Sequence, residues 1–238
     1  MMRYLDLTLP TLAANLALDE ALLFEAEAGG PEVLRIWEWP TPGVVLGAGA
    51  KLADDVHEDA CRKDGVPLVR RSSGGGTVLL GAGCLNYALV LSYERQKALR
   101  DIKASYRYVL TRIASALNDL APEIGMMGTS DLASAGRKFS GNSQLRKRKF
   151  LLHHGTLLYD FKIESVEHYL NAPRNQPAYR NERGHADFLV NLPTSAPELT
   201  RRLRQLWDAH EAIQNWPREL TKSLVDEKLG TEEWLRRR

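Results

Sequence analysis

Hydrophobic residues recur at helical spacing over residues 102–120, where Ile102, Tyr106, Val109, Ile113 and Leu117 fall on one stripe. That period predicts an amphipathic helix with the stripe buried. Residues 11–28 are rich in Ala, Leu and Glu and stop at Gly29-Gly30-Pro31, which predicts a second helix. Short apolar runs bounded by Gly, Pro or turn residues predict strands over residues 33–37, 44–46, 66–69, 77–80 and 85–91, with a polar helix over 54–63. A strand pair is predicted over residues 131–139, turning at Ala135-Gly136, then a central strand over 151–159 and a short helix over 163–170. Ser195-Ala196-Pro197-Glu198 combines a capping box with proline at the first helical position, predicting a helix to about residue 213. The charged tail after Trp216 is predicted helical. Strands and helices mix without strict alternation, which implies an α+β fold with a mixed or mainly antiparallel sheet flanked by helices.

Composition narrows the classes. The 238 residues suit one domain, and no Pro/Gly/Ser-rich stretch divides them. A net charge of +2 is too small to mark a nucleic-acid binder. No apolar run approaches the roughly 18 residues of a membrane span, and the first residues lack a signal-peptide pattern. Two cysteines, Cys61 and Cys84, lie far apart without metal-ligand spacing, which fits a reducing cytoplasm.

Four segments carry candidate chemistry. Arg70-Arg71-Ser72-Ser73-Gly74-Gly75-Gly76-Thr77 follows a predicted strand. Its glycines leave amides free to converge on an anion or carboxylate-derived group, with two arginines and two hydroxyls beside them. It has neither the lysine of a P-loop nor the spacing of a dinucleotide fingerprint. In Gly136-Arg137-Lys138-Phe139-Ser140-Gly141-Asn142, just after Ser130-Asp131, a strand points Lys138 away from the face of its two neighbours. There its ammonium can stabilise charge developing on a carboxylate or phosphate oxygen. The run Arg146-Lys147-Arg148-Lys149 lies between two candidate pocket strands and is read as a mobile loop contacting triphosphate, against the commoner solvated loop. In His153-His154-Gly155-Thr156, strand alternation sends the two histidines to opposite faces, which argues against a paired metal site.

Together these segments resemble the biotin/lipoate ligase superfamily, and specifically the lipoate–protein ligases, with matching motifs in order from about residue 12 to 192. Asn15-Leu16-Ala17-Leu18-Asp19-Glu20 is similar to that family's N-terminal helix. The resemblance implies a two-step reaction in which lipoate and ATP give lipoyl-AMP and pyrophosphate, and a lysine of a lipoyl-domain protein then attacks. The acceptors it implies are acyltransferase subunits of 2-oxoacid dehydrogenases or the glycine-cleavage H protein. It assigns Lys138 as the catalytic residue at the acyl carbonyl and α-phosphate, and Asp131 to the phosphate or its Mg²⁺. It assigns Arg70, Ser72, Ser73, Gly74, Gly75, Gly76, Thr77, Asn86, Ser140, Gly141, Asn142, Arg146, His154, Gly155 and Thr156 to the acyl or adenylate moieties, with residues 146–149 as the adenylate-binding loop.

The chain also departs from the ligase pattern. Leu79-Leu80-Gly81 stands where common ligases carry Phe-His-Asp, Ala48 replaces an arginine, and Asn86 or Cys84 takes the place of the usual asparagine. Those positions shape the acyl tunnel, so the acyl chain stays open. The tail over 193–238 is expected to be a helical extension with no accessory C-terminal domain, so a separate subunit is one expectation. An ATP-independent octanoyl or lipoyl transferase is the alternative, with Cys84 as the candidate thiol.

Overall fold

The computed structural model describes residues 2–174 and 176–237. An eight-stranded sheet has the order β11-β1-β2-β6-β10-β9-β8-β7. Its strands are β1 (Arg3–Asp6), β2 (Val33–Glu38), β6 (Cys84–Ser92), β7 (Gly125–Met127), β8 (Asp131–Ser134), β9 (Arg137–Arg146), β10 (Phe150–Leu158) and β11 (Glu211–Ala212). A smaller sheet has the order β4-β3-β5, from β3 (Gly43–Leu46), β4 (Leu68–Arg70) and β5 (Val78–Leu80). Parallel pairs β1–β2, β1–β11 and β3–β4 stand among antiparallel ones, so both sheets are mixed.

The large sheet buries both faces. One face carries Ile36, Tyr87, Leu89, Phe139 and Leu157 against the Ile102–Leu117 and Ala196–Leu206 helices. The other carries Val33, Ala88, Val90 and Leu152 against Leu18, Leu22 and Leu23 of the Leu12–Glu27 helix. That helix is almost wholly buried, so its sequence lacks a polar stripe, and the Thr11 side chain caps it by accepting from the Ala14 amide. The small sheet covers the remainder of this second face through Leu12, Trp37, Val44, Cys84 and Leu158. Among the described residues, no helix is long and apolar enough to cross a membrane.

Three predicted elements differ. Ile102 is 57% exposed rather than buried. It opens the helix, one residue after the Asp101 cap, and burial starts a turn later at Ser105 and Val109. The polar helix breaks into Leu52–Asp55 and Glu58–Lys63 because Val56 leaves to bridge Leu170. The Ala196–Leu206 helix ends well short of residue 213. Asp208 adopts a positive φ of 51°, and the chain then forms edge strand β11 beside β1. No side-chain cap forms at Ser195, while Glu198 pairs with Arg201 and Arg202.

Candidate active site

The position of Lys138 depends on one extra residue. In the β8–β9 ladder, Asp131 faces Gly141 and Leu132 faces Ser140, yet Ala133 faces Lys138, leaving Phe139 without a partner. This bulge makes Phe139 and Ser140 both turn into the core, where each is buried. Lys138 is thereby moved to the face of Asp131, Gly141 and Ser143. Plain period-two alternation places it on the opposite face from Gly141. Its Nζ lies 2.8 Å from Asp131 Oδ1, with 24% of the lysine side chain and 9% of the aspartate side chain exposed. Asp131 Oδ2 also accepts from the Tyr179 hydroxyl at 2.8 Å. An ammonium has three donors, so this pairing orients Lys138 and leaves it reachable for a ligand oxygen. A Cβ on Gly141 stands only 2.9 Å from Nζ, so the glycine makes room for the lysine stem.

The glycine loop lies over the same face. Arg71 is buried and binds the loop from within, donating from Nη2 to the carbonyls of Gly74 (2.6 Å) and Gly76 (2.9 Å) and from Nε to Ser73 Oγ (3.0 Å). Burial lowers its pKa to about 10, so it remains charged at neutral pH. Ser143 donates to Gly74 O at 2.8 Å, and Ser73 Oγ meets His154 Nε2 at 2.6 Å, which fastens the loop to β9 and β10. Gly75 adopts φ 89°, and its carbonyl approaches Gly47 so closely that a Cβ there stands 1.9 Å away. Burial, reinforced by Arg71 and His153, lowers the His154 pKa to about 3, so the ring is a neutral packing and hydrogen-bonding group.

The register brings several expected residues together. Lys138, Asp131, Gly141, Ser73, the Gly74–Gly76 backbone and His154 share this face, and Asn86 opposite Thr156 continues it across β6 and β10. Beneath the loop lies a hollow of about 10 Å³ lined by Leu16, Asp19, Glu20, Ser72, Leu152 and His154. A larger cleft of about 680 Å³ lies elsewhere, between β1, β2 and the Ala196–Leu206 helix, and none of the motif residues line it.

Other expected residues have different work. Arg70 is buried and donates to the carbonyls of Gly47, Ala50 and Leu235. Thr77 donates to Asp55 at 2.6 Å. Ser140 and Asn142 lie on the core face, where Asn142 donates to Ser130 O and Ser140 Oγ and accepts from Tyr87. Gly155 leaves the space that the Asn142 amide fills. Arg146 donates to Leu99 O and Arg100 O at the start of the Ile102–Leu117 helix. Residues 146–149 sit at the end of β9 remote from Lys138, about 26 Å along the strand, and so do not form a loop over it. His153 packs on the core face between Tyr87 and Tyr106, as the alternation of the pair predicts.

The segment that does cover Lys138 is residues 176–189, which carried no recognisable motif. Leu189 bridges Lys138, the Val190 amide donates to Lys138 O, and Arg183 donates to Gly136 O. This segment supplies Tyr179, whose pKa is raised by burial and by Asp131, and Arg180. Arg180 is 4% exposed, and its Nη2 has no hydrogen-bond partner among the described residues; the buried His185 Nε2 is likewise unpaired. A buried guanidinium nitrogen without a partner is costly, and Arg180 can offer it to an anionic acceptor. Neither cysteine belongs to this group. Cys84 is fully buried opposite Leu158, four residues along β6 from the Ala88–His154 pair, and burial pushes its thiol up to about 12. Cys61 is buried on the Glu58–Lys63 helix.

A mixed sheet with a glycine loop over one face, and a strand-borne lysine on that same face, defines the lipoate–protein ligase fold. The bipartite lipoate protein ligase of Thermoplasma acidophilum, solved with its E2 lipoyl domain, has that fold, with a TM-score of 0.83 at 24% identity over 98% of this chain and 95% of that one. A lipoate–protein ligase A bound with ATP matches at TM-score 0.79 and 24% identity over 98% of each chain. The octanoyltransferase LipM of Oceanobacillus iheyensis is 30% identical over 229 residues, covering 89% of this chain and 81% of its own. The lipoyl protein ligase A/B catalytic domain model matches residues 11–202, and the chain belongs to that family of lipoate ligases and octanoyltransferases.

Proposed function

We propose that the chain is the catalytic domain of an ATP-dependent ligase that converts a lipoyl-type carboxylate to its acyl-adenylate and passes the acyl group to a lysine of a lipoyl-domain protein. One observation carries this reading. Lys138 and its partner Asp131 lie on the sheet face that the glycine loop covers, the adjoining segment adds a buried Arg180 nitrogen without a partner among the described residues, and both cysteines are buried. A cationic site with free donors suits a triphosphate, and a thioester transferase needs an accessible thiolate.

In the first step the acyl carboxylate attacks the α-phosphorus of ATP and pyrophosphate leaves. Lys138 stabilises the charge shared between the carboxylate and α-phosphate oxygens. Arg180 offers its unpartnered nitrogen to the phosphates, and the Gly74–Gly76 backbone roofs the mixed anhydride and excludes water. In the second step the acceptor amine attacks the acyl carbonyl and AMP leaves. Asp131 would give a carboxylate to a magnesium ion brought in by ATP. Such an ion would neutralise phosphate charge. Among the described residues there is no cluster of three His, Cys, Asp or Glu that builds a separate metal cage.

The acceptor class rests on the T. acidophilum ligase and its E2 lipoyl domain, and that ligase's bipartite nature suggests a separate subunit here too. The LipM relative favours a second reading, octanoyl transfer without ATP. Purified chain, a lipoyl domain, and either lipoate with ATP or octanoyl-carrier protein without ATP separate the two when the acceptor is weighed. Acylation only with ATP, unchanged within about twofold in Cys84→Ala as for a buried thiol without chemistry, is expected. ATP-free acylation lost in Cys84→Ala overturns the ligase reading.

A further inference from the structure

Residues 218–237, beyond the part of the chain that matches the family model, reach back to the glycine loop. Lys228 Nζ lies 2.9 Å from Glu20 Oε1, and the other oxygen of that carboxylate accepts from Ser72 Oγ at 2.5 Å. Glu20 is nearly fully buried, on the Leu12–Glu27 helix and in the wall of the hollow beneath the loop. A second tie runs at the foot of the loop, where Trp234 Nε1 donates to Arg70 O at 2.8 Å and Arg70 donates to Leu235 O. Lys228 also lies 4.7 Å from the Trp234 ring centre, so the two ties brace each other.

We infer that Lys228 is a positioning residue for acyl binding, acting through Glu20 on Ser72 to hold the glycine loop over the acyl pocket. This rests on the ligase reading for its substrate and on geometry alone for its effect on the loop. A buried carboxylate stays charged and fixed only with partners. With Lys228 in place, each Glu20 oxygen has one, and Ser72 has a stationary acceptor. Without it, one Glu20 oxygen is left without its partner, and the loop loses the firm anchor on its Ser72 side while Ser73–His154 and Ser143–Gly74 remain. The hollow, at about 10 Å³, holds one water at most. An eight-carbon chain therefore enters only when the loop lifts and must be enclosed when it returns, so the anchor sets acyl affinity more than chemistry.

Hydrogen exchange of the full-length chain, followed for the loop peptide covering residues 72–76, tests this without any substrate. Lys228→Met is expected to accelerate exchange there roughly tenfold, as for loss of a charge-assisted contact, with the β9–β10 peptides unchanged and Lys228→Arg restoring protection. In acyl-adenylate assays the same variant raises the KM for the acyl acid several-fold, while the KM for ATP and kcat stay near the parent values. Unchanged loop exchange overturns the inference, and so does acceleration across the whole chain with a lowered Tm, which marks a merely structural lysine. If the parent chain forms no acyl-adenylate, the ligase reading fails, and the exchange experiment still decides the role of Lys228.

Discussion

Two glycines on adjacent strands show how a missing side chain serves different ends. At Gly141 an added Cβ meets the far end of Lys138, a flexible chain that can swing aside. Gly141→Ala is therefore expected to leave stability within about 1 kcal/mol but to lower the adenylation kcat about tenfold or more through misplacement of the ammonium. At Gly155 the added carbon lands 1.9 Å from Asn142 Oδ1, with the Gly141 carbonyl 2.9 Å behind it. Gly155→Ala is expected to cost about 2–3 kcal/mol by overpacking. Denaturant unfolding beside pyrophosphate release checks both. If the first variant unfolds easily or the second is as stable as the parent, the assignment of these glycines fails. The GRK-x-SG segment marked Lys138 and Gly141 in the sequence, but the same segment marked Ser140 and Asn142, which serve the core face. Composition cannot tell them apart, because a face is a property of the ladder.

At the scale of the element, the β8–β9 hairpin couples turn, bulge and lysine. Its two-residue turn has φ of 46° at Ala135 and 73° at Gly136, and Ser134 pairs with Arg137 across it. Such a turn favours Asn before Gly, whereas a left-handed alanine costs of order 1 kcal/mol. Ala135→Asn is expected to raise stability by about 0.5–1 kcal/mol with no change in acyl-adenylate formation, and a lowered Tm contradicts the turn assignment. Apolar runs and turn residues located this hairpin, the central strand β10 and both long helices, since those signals are local. The bulge at Phe139 was not legible, because an unpaired residue exists only relative to its partner strand. The basic run of residues 146–149 misled for a related reason. Lys147 lies over the Phe24 ring, and Glu27 accepts from the Lys149 and Phe150 amides, so the run tightens a turn remote from Lys138.

For the molecule as a whole, burial of the His153–His154 pair between two layers ties stability to pH. Desolvation lowers both folded pKa values to about 3, while in the unfolded chain they return to about 6.5. Between those values the unfolded chain binds protons that the folded chain refuses. Stability from this source is complete above about pH 7.5 and falls as the pH drops toward 3, by about 1.4 kcal/mol per histidine at pH 5.5. Urea unfolding at pH 7.5 and 5.5 measures it, and equal stability at the two values rules it out.

By itself the sequence determined the local facts: where helices and strands lie, which loop can expose bare amides, which lysine sits on a strand, and the family that their order resembles. Those follow from period, propensity and glycine, each set within a few residues. Only the tertiary structure decided which side chains share a face and which partners they have. It moved Lys138 across the sheet by one bulged residue, gave Arg70 and Arg146 to backbone carbonyls, and brought residues 176–189 and Lys228 to the site. Pairing register and long-range contact determine those outcomes, and both arise between segments that the chain order keeps apart.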